Sequence, residues 1–426
     1  MKKTNTSTFV IGFALFSMFF GAGNLIFPPY LGLETGTHWW IGFICYYLAD
    51  IGLALMALFA MLESGGADGI TGRIGRLPAH ILMTAIVLCI GPLVAIPRTA
   101  ATTYEMSVQP LWPGVSPVVF SVLFFAVILA LCIRESAVVD IVGKFLTPAL
   151  LLGLIVLIVR GVIAPLGPIG APLVSHAPVT GIKAGYQTMD VLGVLVFGLI
   201  ILRSAEEKGH TEKRERSRVV IGAGAVAGIA LLLVYLGLTY LGATASASYG
   251  ADVSRSALVV GIVRALLGRT GLVIFAVVVA LACITTAVAL VSSAASYFAG
   301  LSGGRLPYRL LVAVICVFSA VISNVGLETI VSVASPVLDI VYPPALVLIL
   351  LSYFGRYIRR DSVFRMAALG ALLVSVLGTV NTLGVPIPFL DRLPLAALGF
   401  GWVVPAAVFG LLGALMGRTA PAAVPE

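Results

Sequence analysis

The stretch "FSMFFGAGNLIFPP" occupies residues 16–29, inside an otherwise apolar opening segment. Two glycines two apart, an asparagine and a proline pair are poor residues for a helix interior. A helix that only anchored a protein in lipid would not need them. Glycines alone would serve close helix packing, but neither Asn24 nor the pair Pro28 and Pro29 helps a small-residue face. The run therefore predicts a broken span. Inside a bilayer, irregular backbone survives only where it is buried in protein or lines a cavity.

Composition sets the solvent. Of 426 residues, 60% are hydrophobic and 10% charged, against about 25% charge in a soluble domain. So little charge cannot cover a soluble surface. Crossing ~30 Å of hydrocarbon takes ~20 mostly apolar residues. Twelve such stretches are read, at roughly 8–33, 39–62, 79–104, 116–133, 141–163, 185–202, 219–242, 271–298, 310–327, 329–353, 366–385 and 396–416. The expected fold is an all-α polytopic membrane protein forming a single transmembrane domain over 1–426. The opening "MKKTNTSTFVIGFALF" has the basic head and apolar run of a secretory signal. Because further spans follow, the first is expected to stay in place. The five cysteines lie in apolar stretches without metal-ligand spacing and read as packing residues.

Orientation follows from Lys and Arg. With the N-terminus inside, 19 of the 26 Lys and Arg residues fall in inside segments. Six fall outside: Arg160, Lys183, Arg255, Arg264, Arg269 and Arg392. Arg98 remains within the third span. Both termini are thus expected to be cytoplasmic, and the net charge of +8 needs no nucleic-acid partner. "RSAEEKGHTEKRERSR" (203–218) reads as a solvated cytoplasmic connector. The outside segment 243–270 contains the amphipathic run "SALVVGIVRALL", which predicts a short helix over the outer mouth.

Span six, "GYQTMDVLGVLVFGLII" (185–201), carries Asp190 and Gly193 early among apolar neighbours. Two interrupted spans in matching positions point to inverted repeats, here about 8–163 and 185–353, with two additional helices over 366–416. Freed amides at a half-helix N-terminus attract an anionic group, and freed carbonyls attract cations. That combination suits a zwitterion together with a metal ion. Span eight contains "ALACITTAVAL" (280–290), with adjacent hydroxyls on Thr285 and Thr286. Thr285 is expected roughly 22 Å deep, and Ser17 and Phe20 roughly 14–18 Å deep from the opposite side, at ~1.5 Å per residue. The depths meet near the middle. Hydroxyls and freed carbonyls suit a hard cation.

The runs "FFGAGNLIFPPYLG" (19–32), "GPLVAIPRTAATTYE" (91–105), "GYQTMDVLGVLVFG" (185–198) and "CITTAVAL" (283–290) resemble the bacterial branched-chain amino acid:cation symporter family. The likeness extends along the whole chain. It implies the leucine-transporter fold, two inverted five-helix repeats plus two C-terminal helices with helices 1 and 6 broken. It also implies import of leucine, isoleucine and valine with sodium. By resemblance, amides around Gly21, Ala22, Gly23 and Asn24 hold the substrate carboxylate. Carbonyls near Phe19, Val191 and Leu192, with Gly193 beside them, face its ammonium group. The carbonyls of Ser17, Phe20 and Ala282 and the hydroxyls of Thr285 and Thr286 hold Na+. No Arg stands in the outer part of span one, where the wider fold often has one.

Ionisable residues within spans are functional candidates because they cost at least ~2.5 kcal/mol at mid-span. They are Asp50, Arg98, Asp190 and Asp339, with Glu105 nearer the outside. Arg98 is expected to pair with Asp50 or Asp190, as a gate or as an ion pair that fixes helix register. Lys144 opens span five. In some proton-coupled relatives of the superfamily a lysine there replaces sodium, but the intact threonine pair makes that substitute unnecessary. The alternatives are a proton-coupled transporter, or one of the same fold for another small neutral zwitterion. A channel would need a continuous polar pore. An intramembrane enzyme would need a catalytic constellation, and His38, His80, His176 and His210 all lie in or near loops. No cofactor is expected beyond the coupling ion, and no obligatory protein partner.

Overall fold

The chain is described by a computed structural model, which describes residues 2–416 apart from 134–137, 208, 209, 211, 251 and 356. The described residues form helices and connecting turns, with no strand among them. The opening segment divides into α1 (Lys2–Phe19) and α2 (Ala22–Thr35). Gly21 between them is extended, with φ −107° and ψ −172°. Pro28 and Pro29 lie inside α2. Their missing N–H groups deprive the carbonyls of Asn24 and Leu25 of helical partners, so the break continues as a weakened turn.

Next come α3 (Trp39–Tyr47) and α4 (Leu53–Ser64), joined by a π-helical turn at Leu48–Gly52. Such turns widen the helix by one residue and recur at functional positions. This one carries Asp50. Then come α5 (Ala67–Thr71), α6 (Arg76–Leu88) and α7 (Ala95–Thr103), with π turns at Cys89–Leu93 and Tyr104–Val108. Two helices follow, α8 (Pro117–Ile133) and α9 (Val138–Ile163). The sixth predicted span is α10 (Ala177–Thr188) and α11 (Asp190–Glu207). After them come α12 (Lys213–Ala245), α13 (Arg255–Leu301), α14 (Tyr308–Ser323), α15 (Leu327–Tyr353), α16 (Asp361–Thr382) and α17 (Val403–Met416).

Among the described residues, six helical segments are long and apolar enough to cross a membrane, and shorter apolar helices accompany them. The side chains confirm a lipid solvent. Val118, Val119, Val122 and Leu123 of α8 are exposed, as are Val314, Val317 and Val321 of α14. In water such faces would be a liability. The expected short helix over 256–267 is present. It opens with Ser254 Oγ accepting from the Ala257 amide (3.3 Å), and the backbone turns at Gly268 (φ 67°) before α13 continues.

The chain divides into two compact units. The first spans 1–53, 87–190 and 203–334 and contains both helix breaks. Here α2 and α12 meet backbone to backbone. A Cβ at Gly32 would strike the Thr239 carbonyl, and one at Gly242 the Pro29 carbonyl. Gly242→Ala should therefore cost about 1–3 kcal/mol, the usual range for overpacking, read as a lowered thermal unfolding midpoint in detergent. An unchanged midpoint would show that the crossing has slack.

The second unit spans 54–86, 191–202 and 335–426. It is fastened at its polar end. Arg73 Nε bonds Asp361 Oδ1 (2.7 Å), and Nη2 donates to the Ile358 carbonyl (2.8 Å). The same guanidinium lies 3.8 Å over the Phe364 ring. Ser362 Oγ donates to the Gly413 carbonyl (2.6 Å), linking α16 to α17.

Candidate functional site

At the first break the backbone hydrogen bonding changes partners. The Phe20 amide still bonds the Phe16 carbonyl (2.8 Å), but the Gly21 amide turns back to Phe19 (2.9 Å). Helix α2 then restarts with Gly21 as its N-cap, and no side chain caps it. The first amides of a helix lack intrahelical partners and carry the positive end of its dipole. Ala22, Gly23 and Asn24 are buried there.

Asn24 is the hinge between the two breaks. Its Nδ2 donates to the Phe19 carbonyl, the last of α1, and to Asp190 Oδ2 (2.8 Å), the first residue of α11. One side chain thus holds the end of one half-helix and the start of another, 166 residues away in sequence.

The second break lies at Met189, one residue before Asp190. Met189 is left-handed, with φ 69° and ψ 15°, a conformation that costs a non-glycine residue energy and marks a constrained site. Val191, Leu192 and Gly193 consequently form the first turn of α11, and Val191 and Leu192 are fully buried. The first-turn carbonyls of a helix have partners one turn on. The carbonyls released at this break belong to the end of α10.

Arg98 lies at that end. It is 4% exposed. Nη1 donates to the Gln187 carbonyl (2.6 Å) and Nη2 to the Thr188 carbonyl (3.2 Å). The planar fork matches two adjacent acceptors. A Cβ on Gly23 would sit 2.9 Å from Nη2, so the guanidinium also presses on the first break. Sequence reasoning placed Arg98 beside Asp50 or Asp190. The structure seats its fork on a helix C-terminus, whose negative dipole end suits a cation, and both aspartates lie near enough to feel its charge.

The carboxylates have their own donors. Thr188 Oγ1 bonds Asp50 Oδ1 (2.7 Å), and Asn24 serves Asp190. Both aspartates are buried. Gln187, Thr188, Tyr46 and Tyr235 complete this polar cluster, and the sequence reading did not single them out. "YQTMD" (186–190) held a signal, since Gln187 and Thr188 precede Asp190 in an apolar span. Tyr46 and Tyr235 carried none, as tyrosines within apolar runs. Their rings meet edge to face at 5.7 Å, and Phe20 stacks on Tyr235 at 6.1 Å.

One contact links the cation candidates of α13 to the first break. Thr285 Oγ1 donates to the Ala282 carbonyl (2.8 Å), bringing two of the predicted oxygens together. A Cβ at Gly21 would lie 3.7 Å from Thr286 Cγ2, so the Thr286 methyl is packed on the break. Ser17 is in the last turn of α1, and Phe20 lies in the break itself. The side chain of Lys144 lies outside the described residues.

Apolar helices, two interrupted and joined through one buried polar cluster, define a multi-pass membrane protein. Solved structures share the fold. A nucleobase-cation-symport-1 family transporter, closed with bromovinylhydantoin bound, superposes with a TM-score of 0.65 at 12% identity, covering 96% of this chain and 92% of that one. A Na+-coupled sialic acid symporter gives 0.61 at 16% identity, covering 97% and 91%.

Residues 4–420 match the family model described as branched-chain amino acid transport protein, and the chain belongs to that family. The Pseudomonas aeruginosa branched-chain amino acid transport system 2 carrier protein is 38% identical over 418 residues, 96% of this chain and 95% of the relative. The Bacillus subtilis branched-chain amino acid permease BraB is 34% identical over 424 residues, 96% and 94%.

Proposed function

We propose that the protein imports leucine, isoleucine and valine coupled to sodium by alternating access, with both termini cytoplasmic. The observation that carries this reading is the Asn24 bridge between the Phe19 carbonyl and Asp190. It ties two half-helix ends into one unit that a substrate touching either would move. The family and the named relatives support the substrate class. The excess of Lys and Arg in inside segments supports the orientation.

In this reading the substrate carboxylate meets the uncapped start of α2 at Gly21, Ala22 and Gly23. The Phe19 carbonyl and Asn24 Oδ1, which has no hydrogen-bond partner, face its ammonium group. Phe19, Phe20 and Ile26, all buried, supply an apolar surround for an aliphatic side chain. A hydrophobic pocket discriminates by only ~1–3 kcal/mol per methylene. Leucine, isoleucine and valine should therefore compete within about tenfold to two-hundredfold, while lysine and glutamate hardly compete. Sodium at Ser17, Phe20, Ala282, Thr285 and Thr286 would join α1 to α13, so sodium and leucine should raise each other's affinity by the same factor.

The deciding experiment is leucine uptake into proteoliposomes under separately imposed sodium and proton gradients. Uptake should follow the sodium gradient. Thr286→Val should weaken apparent sodium affinity, with leucine binding recovered at higher sodium. Unchanged sodium dependence in the Thr285→Val/Thr286→Val double variant would place the ion elsewhere. Uptake driven by a pH gradient alone, without sodium, would replace the coupling ion.

A further inference from the structure

Asp50 and Asp190 come from two elements distant in sequence, yet they are bound into one cluster: Thr188 Oγ1 donates to Asp50 Oδ1 (2.7 Å), and two residues on, Asp190 Oδ2 accepts from Asn24 Nδ2 (2.8 Å). Both residues are buried: Asp50 is 0% and Asp190 8% exposed. An ionised carboxylate offers acceptors only, so two of them held in one dry cluster repel each other unless one carries a proton.

The remaining charge points the same way. The groups facing the pair are Arg98 from α7, Tyr46 from α3 and Tyr235 from α12, with neutral Thr188 and Asn24 as donors. Arg98 is the one cation among them. Two carboxylates against one guanidinium leave an excess negative charge in a dry interior, which is costly, and one proton removes it.

There is also room for a further bond. Asp50 Oδ2, Asn24 Oδ1 and the hydroxyls of Tyr46 and Tyr235 are buried without a hydrogen-bond partner. Tyr46 and Tyr235 are both 0% exposed. Tyr46 faces Asp50, and Tyr235 faces Asn24.

We propose that Asp50 and Asp190 form a proton site, a carboxyl–carboxylate pair that holds one exchangeable proton where the two broken helices meet. Loading takes a proton from water onto one carboxylate. Release returns it to water and leaves two like charges in one dry cluster. With the proton in place, the bonds from Thr188 to Asp50 and from Asn24 to Asp190 hold both breaks together. Without it, repulsion between the carboxylates loads those two bonds and loosens the junction. This site is separate from the sodium position at Thr285 and Thr286, and sodium coupling does not require it.

Two measurements on the full-length protein test the proposal. The first is infrared spectroscopy of purified protein and needs no substrate. A protonated-carboxyl carbonyl band should be present at neutral pH and disappear on titration to alkaline pH. It should be missing from Asp50→Asn and from Asp190→Asn. The second is leucine uptake into proteoliposomes at a fixed sodium gradient as external and internal pH are raised together. Uptake should fall by up to about tenfold per pH unit beyond the pair's titration, the slope of one proton. The asparagine variants, which mimic the neutral carboxyl, should lose that slope.

A wild-type spectrum without the band at neutral pH would overturn the proposal, even if the variants fail to fold. So would a variant that keeps the wild-type pH slope. Absence of leucine uptake with the band intact would instead count against the transport reading and leave the proton site standing.

Discussion

Gly23→Leu should lower leucine binding by at least about a hundredfold, some 2.7 kcal/mol, while the protein stays folded in its membrane. The obstruction begins at the first side-chain atom. A Cβ at this position lies 2.9 Å from Arg98 Nη2 and 3.1 Å from Arg98 Cζ. Arg98 cannot simply move aside, because its fork is fixed on the Gln187 and Thr188 carbonyls. A leucine there would push the guanidinium off α10 or fill the space at the uncapped start of α2. Either outcome disturbs the break proposed to receive the amino acid. Gly153→Leu on α9 is the control, since a Cβ at Gly153 meets nothing within 4 Å. Equilibrium binding of labelled leucine to purified protein gives the readout. Normal binding by Gly23→Leu would remove the first break from the site.

Arg98→Ala should be the most damaging single change to both stability and transport. It leaves two helix-end carbonyls without donors and a buried pair of aspartates without their cation. Removing one partner of a buried charge network typically costs about 3–5 kcal/mol. Arg98→Lys should rescue only in part. A lysine ammonium is a compact point charge and cannot present two parallel N–H groups to adjacent carbonyls. The thermal unfolding midpoint in detergent and leucine uptake should therefore rank wild type above Arg98→Lys above Arg98→Ala. If Arg98→Lys matched wild type in both, charge alone would suffice and the fork on α10 would have no role.

The two breaks differed in how plainly the sequence announced them. The first was legible because its cause is local. Gly21, Gly23, Asn24 and the proline pair each disfavour an uninterrupted helix by their own covalent structure. The second was placed around Asp190 and Gly193, whereas the chain breaks at Met189. Methionine carries no turn signal, and its left-handed backbone is imposed by surroundings. Gly193 looked like a breaker, yet it lies within α11, where a Cβ would meet the Phe197 ring.

The sequence alone determined the lipid solvent, the helical class, the place of the first break and the identity of the buried charges. Each depends on residue chemistry or on periodicity within one segment. Tertiary structure decided what those charges do. Arg98 reaches carbonyls 89 and 90 residues away, Asn24 reaches Asp190, and Thr188 reaches Asp50 138 residues away. Such pairings have no local signature. They arise where packed helices bring several polar groups into one dry space, and there each group takes whichever partner satisfies it with the least uncompensated charge.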